Sequence, residues 1–195
     1  MTDDFTSLLA QVRACTICAG LPLGPKPIFQ IAGAARILVA AQAPGRIAHE
    51  RGRSFDDPSG NRLREWMGIS RDTFYDENLI ALIPMGFCFP GSGKGGDMPP
   101  RPECAVAWRK RLLAELPNLR LTLVIGQYAQ SWHLPGHTDK PLTERVRHWR
   151  EFGTGLIPLP HPSPRNGSWL RKNPWFAEEV IPAIRQRVAD ALELR

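Results

Sequence analysis

At 195 residues with 43% apolar side chains, the chain is long enough to bury a full-sized core, and no stretch reaches the ~18 consecutive apolar residues of a membrane-spanning helix. Twenty-five Lys and Arg against 19 Asp and Glu leave a formal charge of +6, a balance that suits an anionic partner such as nucleic acid without requiring one. The opening MTDDFTSLLAQVRAC lacks the basic start, apolar middle and small-residue cleavage site of a secretory signal, so a cytoplasmic location is expected and its four cysteines are not expected to form structural disulfides.

Residues 3–14 predict an amphipathic helix. RILVAAQ (36–42) is an apolar run of strand length closed by the turn APG. SGNRLREWMG then has helix-start chemistry, with Ser59 as the expected N-cap and Leu63, Trp66 and Met67 at helical spacing. NLIALIP (78–84) predicts a second buried strand, and FPGSGKGGDMPPRPE after it reads as loop throughout because of its Gly and Pro content. A helix over 103–116, a third strand LRLTLVIG (119–126) and a short helix QYAQSWHL follow. A helical stretch over 141–152, a fourth strand in GLIPLP and a long helix over 173–193 close the pattern. There is no internal repeat and no low-complexity linker.

Strands alternating with helices imply parallel pairing, hence an α/β fold: a three-layer α/β/α sandwich on a central, mainly parallel four-stranded sheet. Ligands of such sheets bind beyond the carboxyl ends of the strands. AQAPG (41–45) and HPSPRN (161–166) both fall at such ends, so they are expected to face one cleft. In HPSPRN two prolines fix φ and remove two backbone donors, which makes a rigid loop that holds the imidazole of His161 at a strand end. Arg165, Arg171 and Lys172 are interleaved with Trp169 and Trp175 just beyond it. Cations beside flat aromatic surfaces suit a phosphate backbone and its bases; the alternative is that the tryptophans anchor the final helix.

A strand ending in a short x-Q/E-x-P-G turn, followed by a later strand ending in H-P-S-P, resembles the two active-site motifs of the uracil-DNA glycosylase superfamily. Their order, separation and places on the sheet fit, and the resemblance covers nearly the whole chain, which implies a single uracil-DNA glycosylase-like domain over 1–195. It implies a DNA glycosylase of base excision repair, acting on uracil or another deaminated base in DNA by base flipping and leaving an abasic site. No lysine stands in either motif to attack the sugar, so the expected enzyme is monofunctional. The implied partner is DNA containing a deaminated base, with no membrane and no obligate protein partner.

Breaking an N-glycosidic bond leaves positive charge on the sugar and negative charge on the base, so the base must be extruded, held flat and stabilised as an anion. The resemblance gives the last task to His161, donating to a base carbonyl such as O2 of uracil. It has Pro162, Ser163 and Pro164 press on the DNA backbone, and Arg165 act as wedge or phosphate contact, with Lys172 and Lys94 as further phosphate contacts. Phe55 matches the phenylalanine that stacks on the flipped base, with core packing as the competing reading. Gln42 and Ala43 would line the pocket beside sugar and base. AQAPG departs from members with an acid in this motif: a glutamine can position water but cannot take its proton. Asp56 and Asp57 are the nearest acids in sequence, and both also suit a helix cap. The base-reading asparagine of iron–sulfur relatives, four residues before the third cysteine, is Pro84 here, which leaves Asn166 and Asn78 as candidates to read the base.

The cysteines are similar to those of the iron–sulfur members: Cys15 and Cys18 in CTIC, then Cys88 and Cys104 flanking the Gly/Pro loop. Four soft thiolates suit a structural [4Fe-4S] cluster and also permit zinc, although a zinc ribbon usually carries two close-spaced pairs; four unconnected buried cysteines is the third reading. Two other functions stay open: a non-catalytic binder of damaged or single-stranded nucleic acid on the same fold, for which the missing acid speaks, and a hydrolase of free nucleosides, against which the basic, Trp-bearing segment speaks.

Overall fold

Four short apolar segments build the central sheet of the computed structural model, which describes residues 3–194. Helix α1 (Asp3–Arg13) precedes strand β1 (Ile37–Ala40). Helices α2 (Arg46–Arg51), α3 (Pro58–Met67) and α4 (Arg71–Tyr75) lead into β2 (Ile80–Leu82). A small antiparallel hairpin, β3 (Ser92–Gly93) with β4 (Gly96–Asp97), interrupts the following loop. Helix α5 (Pro102–Cys104) runs through a π-helical turn (Ala105–Arg109) into α6 (Lys110–Ala114). Then come β5 (Leu121–Ile125), α7 (Gly126–His133), α8 (Leu142–Arg147) and β6 (Leu156–Leu159). Helix α9 (Gly167–Lys172) and α10 (Ile181–Leu192), the latter entered through a second π-helical turn (Phe176–Val180), end the chain's described structure.

The sheet order is β2-β1-β5-β6, parallel throughout, with Val39 beside Leu82 on one side and Leu123 on the other. Its strands are buried on both faces, as parallel strands under two helical layers must be. Ile37, Val39, Ile80, Leu82, Leu123 and Ile157 face one layer, where α3, α4 and α10 supply Leu63, Trp66, Phe74, Ile184 and Val188. The alternate residues Leu38, Ala40, Ala81, Ile83 and Val124 face the other, against Phe5, Leu8, Leu9 and Val12 of α1 together with Leu112 and Ala129. Full burial of each large aliphatic side chain stabilises by about 1.5–3 kcal/mol. Pro158 has no N–H to donate, and β6, at the edge of the sheet, is where a strand tolerates that. This is the expected three-layer α/β/α sandwich. Among the described residues no helix is long and apolar enough to cross a membrane.

Several local expectations are corrected. Asp57, not Ser59, caps α3: its Oδ1 accepts from the Gly60 N–H at 2.8 Å, and Pro58 takes the first helical position, where its missing N–H costs nothing. The Gly/Pro loop is not loop throughout, because Ser92–Gly93 and Gly96–Asp97 pair across a two-residue turn. The predicted helix over 141–152 is α8 followed by a 3-10 turn (Trp149–Phe152). Trp169 and Trp175 pack half-buried against the core, edge-on to Phe176, with their indole N–H groups on Thr143 Oγ1 (2.8 Å) and Asn173 Oδ1 (3.2 Å). They anchor the final helix.

The chain leaves β1 for β2 on one side and returns to β5 on the other, and a crevice lined by Val39 and Leu82 opens at the carboxyl ends of β1 and β2. Gln130 on α7, fully buried, donates through Nε2 to the Leu159 carbonyl at 2.9 Å and fixes the exit of β6 beside that crevice.

Candidate functional site

The turn after β1 remains paired beyond the strand: the Met85 N–H donates to Ala41 O at 2.7 Å and the Gly86 N–H to Gln42 O at 2.9 Å. Pro44 and Gly45 are thereby held at a fixed height above the sheet. Beside them Phe55 sits at φ 58°, a left-handed conformation that a bulky residue adopts only when its surroundings impose it. Here they do. Arg64 donates through Nη1 to the Phe55 carbonyl at 3.3 Å, and the ring packs edge-on to Phe74 at 6.1 Å. Gly60 is required beneath, since a Cβ there would lie 1.7 Å from the Phe55 oxygen.

Between this turn and the loop after β6 lies a cavity of about 300 Å³, whose wall includes Ala43, Pro44, Phe55, Pro84, Asp97 and His161. AQAPG and HPSPRN therefore face one cleft. Asp57, Ser163, Pro164 and Arg165 complete the side nearest the second loop. Arg62 on α3 donates through Nη1 to the Ser163 carbonyl at 2.9 Å, and Ser163 Oγ accepts from the Arg165 N–H at 3.2 Å.

His161 Nδ1 accepts a hydrogen bond from the Ser163 N–H at 3.2 Å. An imidazole that accepts at Nδ1 carries its proton on Nε2. Burial pushes its pKa down, partly opposed by the carboxylates of Asp57 and Asp97. The site thus holds a neutral imidazole with one N–H to donate and two carboxylates in the same wall.

The structure brings His161, Asp57, Phe55, Ala43, Ser163, Pro164 and Arg165 together, and places other sequence candidates elsewhere. Gln42 does not line the cavity; its Nε2 donates to the Met98 carbonyl at 3.2 Å. Asp56 lies outside it, ion-paired with Arg71 at 2.9 Å and Arg51 at 3.4 Å, and the Arg71 hydrogen bond holds its carboxyl below the usual range. The Asn166 amide donates to His161 O at 2.7 Å and braces the loop instead of facing the cavity. Pro162 is buried beneath the loop, so it has no surface with which to press on a duplex. Asn78 lies in an exposed turn, its N–H on Asp76 Oδ1. Lys94 and Lys172 are exposed, on the hairpin turn and at the end of α9.

Asp97 and Arg62 are the site residues that sequence reasoning missed. Asp97 was hidden in a loop read as unstructured; a Gly-Lys-Gly-Gly stretch is itself a hairpin signal and would have placed the aspartate beside it on a strand. Arg62 had no signal, being one surface cation among many.

The family model of the uracil DNA glycosylase superfamily matches residues 29–185. The chain belongs to this superfamily. The match takes in the whole cavity wall, whereas Cys15 and Cys18 precede it. Neither Gln42 nor Ala43 puts an acid into the first motif, and Pro84, which lines the cavity, carries no side-chain donor or acceptor.

All four cysteines are thiols, three buried and Cys15 half-buried. They share one neighbourhood. Burial pushes the Cys104 thiol up to about 12, with Cys15, Cys18 and Cys88 adding to the rise, and Cys88 is raised by burial and by Cys18 and Cys15. Donors already point at the sulfurs: Trp108 Nε1 on Cys15 Sγ at 3.2 Å and the Phe87 N–H on Cys104 Sγ at 3.4 Å. Among the described residues no three His, Cys, Asp or Glu side chains come close enough together to hold a metal ion.

Proposed function

We propose that the protein is a monofunctional DNA glycosylase that hydrolyses the N-glycosidic bond of uracil or another deaminated base in DNA, after flipping the nucleotide into the cavity, and leaves an abasic site. The observation that carries this reading is the neutral His161, with Nδ1 capped by the Ser163 N–H and Nε2–H left to donate. A preorganised donor aimed at a leaving base carbonyl stabilises the charge that appears there as the bond breaks. Phe55 supplies an aromatic wall for a flat base, and Arg165 a cation at the rim for the phosphate backbone. Among the described residues that line the cavity there is no lysine, so the reading takes water and not an amine as the attacking group.

The test is strand cleavage after alkali, on end-labelled single- and double-stranded oligonucleotides carrying one uracil or one hypoxanthine. Cleavage that disappears in His161→Ala is the expected result. Pro84 favours a second reading, a binder of damaged or single-stranded nucleic acid without turnover, because a proline cannot read a base edge. Salt-sensitive DNA binding, retained in His161→Ala with no cleavage of any substrate by the wild type, would establish it.

The same reading assigns Cys15, Cys18, Cys88 and Cys104 to a structural [4Fe-4S] cluster. Its support is the donor set: four soft thiols in one neighbourhood, with N–H groups directed at sulfur. When bound, the cluster would tie the segment after α1 to the loop after β2. Iron and sulfide analysis, with a visible absorbance that dithionite bleaches and Cys88→Ala abolishes, tests it; zinc in place of iron would refute it.

A further inference from the structure

Resting on the glycosylase reading above, we infer that Asp97 is the catalytic residue that positions the attacking water and takes its proton. The first motif lacks an acid, yet the cavity does not: Asp97, exposed to solvent, lines it from the hairpin.

The carboxylate is oriented. Asp97 Oδ1 accepts from Ser92 Oγ at 3.1 Å, across the pair that closes the hairpin. Oδ2 reaches over the first motif, 3.2 Å from the point that a Cβ on Gly45 would occupy, so a side chain at position 45 would push it away. The hairpin is bonded to the first motif loop and lies against the second. Gln42 Nε2 holds the carbonyl of Met98, the next residue after Asp97, at 3.2 Å. On the other side Gly96, at φ 129°, lies under Arg165, whose Nη1 is 2.9 Å from where a Cβ would stand. The glutamine that stands in the motif, unable to accept a proton, thus anchors the strand that presents a group able to.

Asp56 is ion-paired outside the cavity; Asp57 lines the cavity but gives Oδ1 to the cap of α3, whereas Asp97 Oδ2 is the carboxylate oxygen that stands over the first motif. Asp97 has one oxygen for orientation and a second over the turn, which is what a water-directing carboxylate needs. An anionic carboxylate here also stabilises the positive charge that develops on the sugar. In the step itself the water oxygen bonds to C1′ and the bond from C1′ to the base nitrogen breaks, its electron pair leaving with the base. Asp97 takes the water's proton. The His161 Nε2–H holds the base anion until the anion is protonated from solvent, and Asp97 returns its proton to solvent.

Single-turnover excision by Asp97→Asn, Asp57→Asn and Ser92→Ala, beside affinity for the same oligonucleotide carrying an uncleavable 2′-fluoro-deoxyuridine, tests this. Asp97→Asn keeps an oxygen to accept from Ser92 but cannot take a proton. Its excision rate is expected to fall by about 100-fold or more, with affinity within about threefold of wild type. Ser92→Ala, which removes the bond that orients the carboxylate and leaves the acid itself, is expected to lower the rate by about tenfold, less than Asp97→Asn does. An Asp97→Asn rate within about threefold of an active wild type would overturn the inference alone, as would a Ser92→Ala loss greater than that of Asp97→Asn, or an Asp57→Asn loss of about 100-fold beside a near-normal Asp97→Asn. A wild type that excises no base would overturn the glycosylase reading and this inference with it.

Discussion

Arg62 Nη1 donates to the carbonyl of Ser163 at 2.9 Å, tying the helix that Asp57 caps to the loop that carries His161. The two residues are 101 positions apart in sequence, and of the two Ser163 lines the cavity. The bond matters because the HPSPRN loop, for all its prolines, has few backbone donors with which to fix itself. Arg62 on Ser163 O ties it to α3, and Asn166 on His161 O braces it internally.

Arg62→Ala is therefore expected to lower excision by about tenfold while changing the thermal midpoint little, since a hydrogen bond from a charged donor is worth roughly 1.5–3 kcal/mol and here orders a loop, not the core. Single-turnover rates beside a melting curve check this. A large fall in the midpoint would show that the bond belongs to the folding core instead.

His161→Ala should reduce excision by about 10²–10³-fold, the usual cost of one preorganised donor, with DNA binding retained. Burial holds the imidazole neutral below the pH at which a free one would gain its proton, against the opposing pull of Asp57 and Asp97. A nitrogen NMR titration is expected to show His161 neutral, with the proton on Nε2, through pH 6.5. Half-protonation at or above that pH contradicts the assignment.

Gly60→Ala should destabilise the fold severely, by roughly 3 kcal/mol or more in urea unfolding, because the new Cβ would meet the Phe55 carbonyl at 1.7 Å and Phe55 is already at a strained φ. Ser59→Ala, one position earlier and not the cap, serves as the control and should change stability by about 0.5 kcal/mol at most.

Arg109 is fully buried without a carboxylate; its Nη1 holds Ile83 O at 2.9 Å and Pro84 O at 3.0 Å, and its Nη2 donates to His133 Nε2 at 2.7 Å. Burial and that guanidinium push His133 down to about 3. The unfolded chain then binds more protons than the folded one below the ordinary histidine value of about 6.5. Stability is fully present above that pH and falls as the pH drops toward 3. Urea midpoints measured from pH 7 downward should decline in the wild type and decline less steeply in His133→Asn. An equal slope in both would show that His133 is not held neutral.

The sequence by itself determined the sheet, the ends of its strands and the two loops beyond them. Apolar runs such as ILVA and IAL are local signals, buried on both faces whichever helices cover them, and the P-G and H-P-S-P turns are set by the φ restrictions of their own residues. The tertiary structure decided what each polar side chain does. Gln42 stands in a motif yet turns to Met98, Asn166 turns back to its own loop, Asp56 is taken by two arginines, and Asp97 is carried into the cavity by a hairpin. The physical reason is competition. A polar group goes to the partner that the fold brings within about 3 Å with good geometry, and no pattern along the chain records which partner that is, least of all when it lies 56 residues away as Met98 does from Gln42.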